Sequence, residues 1–245
     1  MGCRWPPEDS WRSLQMPSRT LVAALVAEAV GTFLFFVLGA GAVIMNAQTG
    51  GEVGLIGIAL AHGLALAALG TAFAPISGGQ FNPVVTVALW LVGKVRTIEG
   101  IRYIVAQLVG AAAAGFALKL AFGGFEAGDT VWSFAHGGAP GVADGLTQVT
   151  AIAIEAVLTA LLVYAVLLTA VDKRAPQLGA LLIGGVIIAD IMVGGPLTGA
   201  AMNPARWFGP AVAFGDLSEA VVYIVGPLIG AVVAALSVRY LFAER

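Results

Sequence analysis

Apolar residues run along this chain in blocks long enough to cross a bilayer, separated by short polar connections. A spanning helix needs about 20 mostly apolar residues. Six stretches meet that length, at residues 20–45, 53–74, 99–122, 147–171, 178–194 and 217–242. Two more apolar stretches, 82–93 and 203–214, are too short to cross. Each opens on an Asn-Pro pair, in "SGGQFNPVVT" at 77–86 and in "TGAAMNPARW" at 198–207.

The pattern occurs twice. "EAVGT" (Glu28 to Thr32) answers "EAVLT" (Glu155 to Thr159), and "YIVAQLVGA" (Tyr103 to Ala111) answers "YIVGPLIGA" (Tyr223 to Ala231). The two Asn-Pro pairs stand 121 positions apart, close to the same offset. Each half holds three spans, an odd number, so the second half enters the bilayer from the opposite side. Interrupted segments at matching places in an inverted repeat point to a pathway at the midplane.

Asn is a good N-cap and Pro a good first helical residue. Asn82-Pro83-Val84 and Asn203-Pro204-Ala205 therefore each start a re-entrant half-helix, and the two N-termini meet near the midplane. Broken backbone at that depth is tolerated only against protein or a water-filled cavity. Gly78, Gly79 and Gly199 let the preceding loops turn their carbonyls toward such a cavity. If each Asn oxygen caps its own helix, the Asn amide hydrogens are free to face the cavity. Two donors and two positive dipole ends on one spot suit water or a small neutral acceptor and repel a cation or proton.

Composition and charge narrow the class. Of 245 residues, 59% are hydrophobic and 11% charged, against about 25% charged in a soluble domain. The net charge of −2 suggests no nucleic-acid partner. A single cysteine, Cys3, rules out a disulfide framework and a Cys-based metal site. No phosphate loop, HExxH or GxSxG is present, so no enzyme, cofactor or metal is expected. Lys and Arg precede span one (Arg4, Arg12, Arg19), follow span two (Lys94, Arg96, Arg102) and follow span four (Lys173, Arg174). Others close the chain (Arg239, Arg245). The connections 46–52 and 123–146 carry none. Both termini are therefore expected in the cytoplasm. Lys119 is an exception, at the outer end of span three, where it could snorkel. The resulting division is a disordered cytoplasmic leader at 1–19, a first three-span repeat at 20–122 and an outer connecting loop at 123–146. A second repeat follows at 147–242.

With these motifs in view, residues 20–242 resemble the aquaporin, or major intrinsic protein, family. "NPAR" at 203–206 matches the family motif in full, whereas the first motif reads "NPV". "AHGLAL", "ISGGQFNP" and "MNPAR" followed by "FGPAV" are most similar to the plant tonoplast branch. The host membrane is expected, separately from this resemblance, to be the cell membrane. The resemblance implies a homotetramer with one pore per subunit. It also implies a four-residue outer constriction at His62, Ile191, Ala200 and Arg206, of the kind found in broad pores for water, ammonia and sometimes urea. The residue after Arg206 is Trp207, where strict water pores place Ser and glycerol facilitators Asp.

Each candidate also has a plainer reading. A membrane-embedded Arg206 costs at least ~2.5 kcal/mol on insertion scales and usually lines a cavity. His62 is either a satisfied interior histidine or a pore-wall residue able to contact water or ammonia; the resemblance favours the wall. Glu28 and Glu155 could relay protons, but repeat symmetry favours carboxylates that brace the loops before the Asn-Pro pairs. Asp190 should point away from Ile191 and brace a loop. His136, in the outer loop, is a surface histidine unless it reaches the constriction.

The expectation is thus an all-α integral membrane protein with six transmembrane helices and two re-entrant half-helices. It should passively pass water and small neutral solutes such as ammonia while excluding protons and ions. The alternatives are a glycerol or urea facilitator of the same fold and a proton-coupled transporter.

Overall fold

The structure is a computed structural model that describes residues 18–123, 128–172, 175 and 178–242. The expected leader up to residue 17, with Arg4 and Arg12, lies outside the described residues, as do Lys173, Arg174 and Arg245.

The regular elements among the described residues are all helices, and six of these are long and apolar enough to span a bilayer. In chain order the helices are α1 (Ser18–Gln48), α2 (Gly54–Ser77), α3 (Pro83–Leu91), α4 (Thr97–Phe122), α5 (Gly128–Phe134), α6 (Gln148–Ala165), α7 (Gly179–Thr198), α8 (Pro204–Phe214) and α9 (Ala220–Ser237). Wider π-type turns extend α6 to Val171 and α9 to Phe242. The fifth span runs to Thr198, four residues past the apolar block that announced it, because Pro196 in the last turn does not stop the helix. The outer connection is not plain loop. It holds α5, whose Trp132 is buried beside Ala40 and Ile44 of α1.

Packing follows the repeat. α1 lies on α2 and α4 as α6 lies on α7 and α9, and α2 packs on α7 at the centre. Each half-helix packs against the third span of the other half, α8 on α4 and α3 on α9. Small residues allow these contacts, in keeping with membrane helix association driven by close approach. A Cβ on Gly110 would stand 2.2 Å from Ala29 O, and one on the repeat-related Gly230 would stand 2.1 Å from Ala156 O. Apolar side chains such as Leu120, Val149 and Leu241 face outward, where a bilayer rather than water is the matching solvent.

The two re-entrant loops begin alike. Pro75 and Pro196, 121 apart, sit near the ends of α2 and α7. Gly78 (φ 93°) and Gly199 (φ 71°) then close the helices in the left-handed region. Left-handed backbone recurs at Gly79 and Ala200 and again at Phe81 and Met202, at the same repeat offset. Three of these six positions are not glycine. Such backbone costs of order 1–3 kcal/mol per residue and persists only where the surroundings over-determine it.

Candidate functional site

Glu28 on α1 and Glu155 on α6 hold those loops. Both are fully buried. Glu28 accepts from Ser77 Oγ (2.6 Å), Gln80 N (3.0 Å), Phe81 N (2.9 Å) and Gln107 Nε2 (2.8 Å). Glu155 accepts from Thr198 Oγ1 (2.7 Å), Ala201 N (2.9 Å) and Met202 N (2.7 Å). Tyr103 and Tyr223 add a matching pair, donating to Ser77 O (3.1 Å) and Thr198 O (2.9 Å). The one break in symmetry is Gln107, whose repeat position is Pro227, so Glu155 lacks the fourth donor.

Asn82 and Asn203 cap their half-helices. Asn82 Oδ1 accepts from Val84 N (3.0 Å), and Asn203 Oδ1 from Ala205 N (2.9 Å). Their amide nitrogens also cross the molecule. Asn82 Nδ2 donates to Met202 O (3.0 Å), and Asn203 Nδ2 donates to Phe81 O (3.0 Å). This corrects the expectation of free Asn donors. One N–H of each is engaged by the opposite loop, and one remains for the cavity. Phe81 and Met202, both in the left-handed region, supply those carbonyls, so each half positions the capping residue of the other.

A cavity of about 340 Å³ runs past this junction. Asn82 and Asn203 line it, whereas Pro83, Val84, Pro204 and Ala205 do not. Val84 and Ala205 are buried in the packing behind. The extra methyl groups of Val84 therefore go into the core rather than the path. His62, Ile191, Ala200 and Arg206 gather around the same cavity. The remaining wall is largely apolar, with Leu66, Val85, Leu162, Ile183 and Ile187 among its residues. Gln80 is the other polar side chain on the wall, with its amide oxygen accepting from Thr86 Oγ1 (2.6 Å).

Arg206 Nε donates to His62 Nε2 (3.0 Å), and its Nη1 donates to Gly138 O (2.8 Å). His62 Nδ1 lies 2.9 Å from Ile58 O. A carbonyl only accepts, so Nδ1 carries the proton and Nε2 is left as the acceptor for Arg206. Both ring nitrogens are therefore engaged within the protein. His62 orients the guanidinium, and the direct contact with water or ammonia expected of it has no free group to make it. Gly39 on α1 leaves room for the ring, since a Cβ there would stand 2.5 Å from His62 Cδ2.

The other expected residues are placed elsewhere. His136 is exposed, packs on Phe214 with ring centroids 5.4 Å apart, and does not line the cavity. The outer connection reaches the site through Gly138, whose φ of 80° and close approach to Ala40 suit only glycine. Asp190 is buried off the cavity wall, and its Oδ2 has no hydrogen-bond partner, so this oxygen does not brace the loop. Trp207 turns away and stacks on Tyr223 at 6.1 Å. Gln107 and Gly138 escaped the sequence reading. Gly138 lies outside the repeat and Gln107 is matched by Pro227, so no repeated polar residue marks either position. No group of three or more His, Cys, Asp or Glu that could hold a metal occurs among the described residues.

Comparison with known proteins follows the same lines. The family model described as "Major intrinsic protein" matches residues 15–238. The chain is 41% identical over 221 residues to a protein named Aquaporin TIP2-1 from Arabidopsis thaliana, covering 87% of this chain and 84% of that one. It is 35% identical over 228 residues to Aquaporin NIP1-1 from Zea mays, covering 93% and 77%. Among solved structures, the aquaglyceroporin from Plasmodium falciparum superposes with a TM-score of 0.81 at 26% identity, over 91% of this chain and 97% of the other.

Proposed function

The chain belongs to the major intrinsic protein, or aquaporin, family, and from that premise we propose that it conducts water and ammonia while excluding protons and ions. As a member of the family it is an integral multi-pass membrane protein and a passive channel for water. The finer reading rests on one observation: the polar side chains beside the cavity offer it N–H groups, across from an apolar wall. The guanidinium hydrogens of Arg206 not engaged by His62 and Gly138 are available, as is the second amide hydrogen of Asn82 and of Asn203.

A permeant must therefore accept hydrogen bonds. Water and ammonia both do. A cation meets the Arg206 charge and two half-helix N-termini, with their positive dipole ends. Ile191 and Ala200 leave the rest of the constriction wide and apolar, which admits ammonia. Glycerol should pass poorly, because Trp207 offers no apolar wedge to the path. Coupled transport gains no support from Glu28 and Glu155, which face the loops rather than the cavity. We further propose a homotetramer, on the family resemblance, with both termini cytoplasmic, on the distribution of Lys and Arg.

Proteoliposomes test this in stopped-flow light scattering with osmolytes of graded size and with an ammonium gradient. Water and ammonia fluxes should rise above those of empty vesicles without a matching proton conductance. Ile191→His combined with His62→Phe should suppress ammonia more than water. A proton current that scales with water flux, or an unchanged ammonia-to-water ratio in that double variant, would overturn the reading.

A further inference from the structure

Lys119 is the cation that the charge rule leaves unexplained, and the repeat gives it a partner. Lys119 and Arg239 are 120 positions apart, the offset that also relates Tyr103 to Tyr223. Each lies near the end of the third span of its half, and each bonds to the other half. Lys119 Nζ donates to Ala213 O (3.0 Å) in the last turn of α8. Arg239 Nη1 donates to Leu91 O (2.5 Å), the last residue of α3. The last carbonyls of a helix have no partner within it. In α3, those of Ala88, Leu89 and Trp90 are met by the backbone of Val92, Lys94 and Gly93. Arg239 supplies the donor for the remaining one.

We propose that Lys119 and Arg239 are paired positioning residues that clamp the half-helices from the ends opposite the Asn-Pro junction. The half-helices have 9 and 11 residues, below the about 12–15 at which an isolated helix is even marginal. Their placement depends on what holds each end. The N-terminal ends are tied to one another through Asn82, Asn203 and the carbonyls of Phe81 and Met202. The C-terminal ends, which carry the negative pole of the helix dipole, are each met by a cation. Because each cation comes from the opposite half, displacing one half-helix shifts the junction that the other shares.

Hydrogen exchange on the full chain in proteoliposomes, with water permeability per channel alongside, tests the clamp independently of which solutes the channel passes. Lys119→Met should lower amide protection about two- to fivefold, the size of a helix-end charge interaction. The loss should appear at 205–207 and also at 84–87 of the other half-helix, with lower water permeability. Arg239→Met should give the mirror result. Lys119→Arg and Arg239→Lys should restore both readouts. Should Lys119→Met not reconstitute, Lys119→Gln keeps a shorter amide donor without the charge and is read the same way. Loss of protection confined to 211–214 or 89–92, or none at all, would make these residues local caps or bystanders and overturn the proposal.

Discussion

Replacing Glu28 by Gln separates loop bracing from proton relay. The substitution keeps the shape but turns one carboxylate oxygen into an NH₂ donor. Each oxygen of Glu28 receives one backbone N–H, Oε1 from Gln80 and Oε2 from Phe81. Ser77 can rotate its hydroxyl and Gln107 can flip its amide, but a backbone N–H cannot change sign. Whichever way the new amide sits, one buried peptide N–H faces a donor. An unsatisfied buried group costs about 1–3 kcal/mol, and the hydrogen bonds that remain lose their charge assistance. A total of about 2–4 kcal/mol is expected, in a loop that already holds left-handed backbone at Phe81. Phe81 O is the acceptor for Asn203 Nδ2, so the damage reaches the other half-helix. The variant should unfold at a lower temperature in detergent and show lower water permeability per reconstituted channel, with no change in proton conductance. Glu155→Gln should behave alike, since Oε1 and Oε2 each receive one backbone N–H there too. Unchanged stability together with a lost pH-gradient-driven flux would refute the bracing role and revive the relay.

Asn82→Ala removes a cap and a cross-molecule bond and should cost about 1–2 kcal/mol, as should Asn203→Ala. A double-mutant cycle on thermal unfolding should show coupling between them, and strict additivity would mean that the two loops do not depend on each other. His62→Ala leaves Arg206 Nε without its acceptor, at a cost of about 1.5–3 kcal/mol for a bond to a charged group. The freed guanidinium and vacated ring space should raise the flux of urea-sized solutes relative to water, and an unchanged size cut-off in light scattering would contradict the orienting role given to His62. Gly209→Ala would place a Cβ 2.2 Å from Ala111 O, where backbone on both sides cannot yield, whereas Gly185→Ala meets nothing within 4 Å. Size-exclusion chromatography should show loss of folded protein for the first and not for the second.

The sequence by itself determined the architecture, for reasons that are local. A bilayer imposes a length on every apolar block, so six long blocks and two short ones could be counted without coordinates. The Asn-Pro pairs carry their own capping chemistry, and the repeated "EAV" and "YIV" segments revealed that two halves share one plan. What only the tertiary structure decided are the relations between groups distant in the chain. The atom that accepts one hydrogen of each Asn amide lies about 120 positions away, on the carbonyl of a left-handed residue that no local pattern announces. The hydrogen-bonding state of His62 depends on Ile58 four positions back and on Arg206 in the other half, so a histidine legible as a pore-wall residue became one whose nitrogens are both engaged. Gly138 acts from the outer connection, which has no repeat counterpart, and Gln107 from a position where the other half has Pro227, so symmetry announces neither. Lys119 looked misplaced only while its acceptor, the end of a half-helix 94 residues on, was out of view. Helix-forming and membrane-spanning tendencies are written in short windows of sequence, whereas the direction of a hydrogen bond between two halves exists only once both are folded.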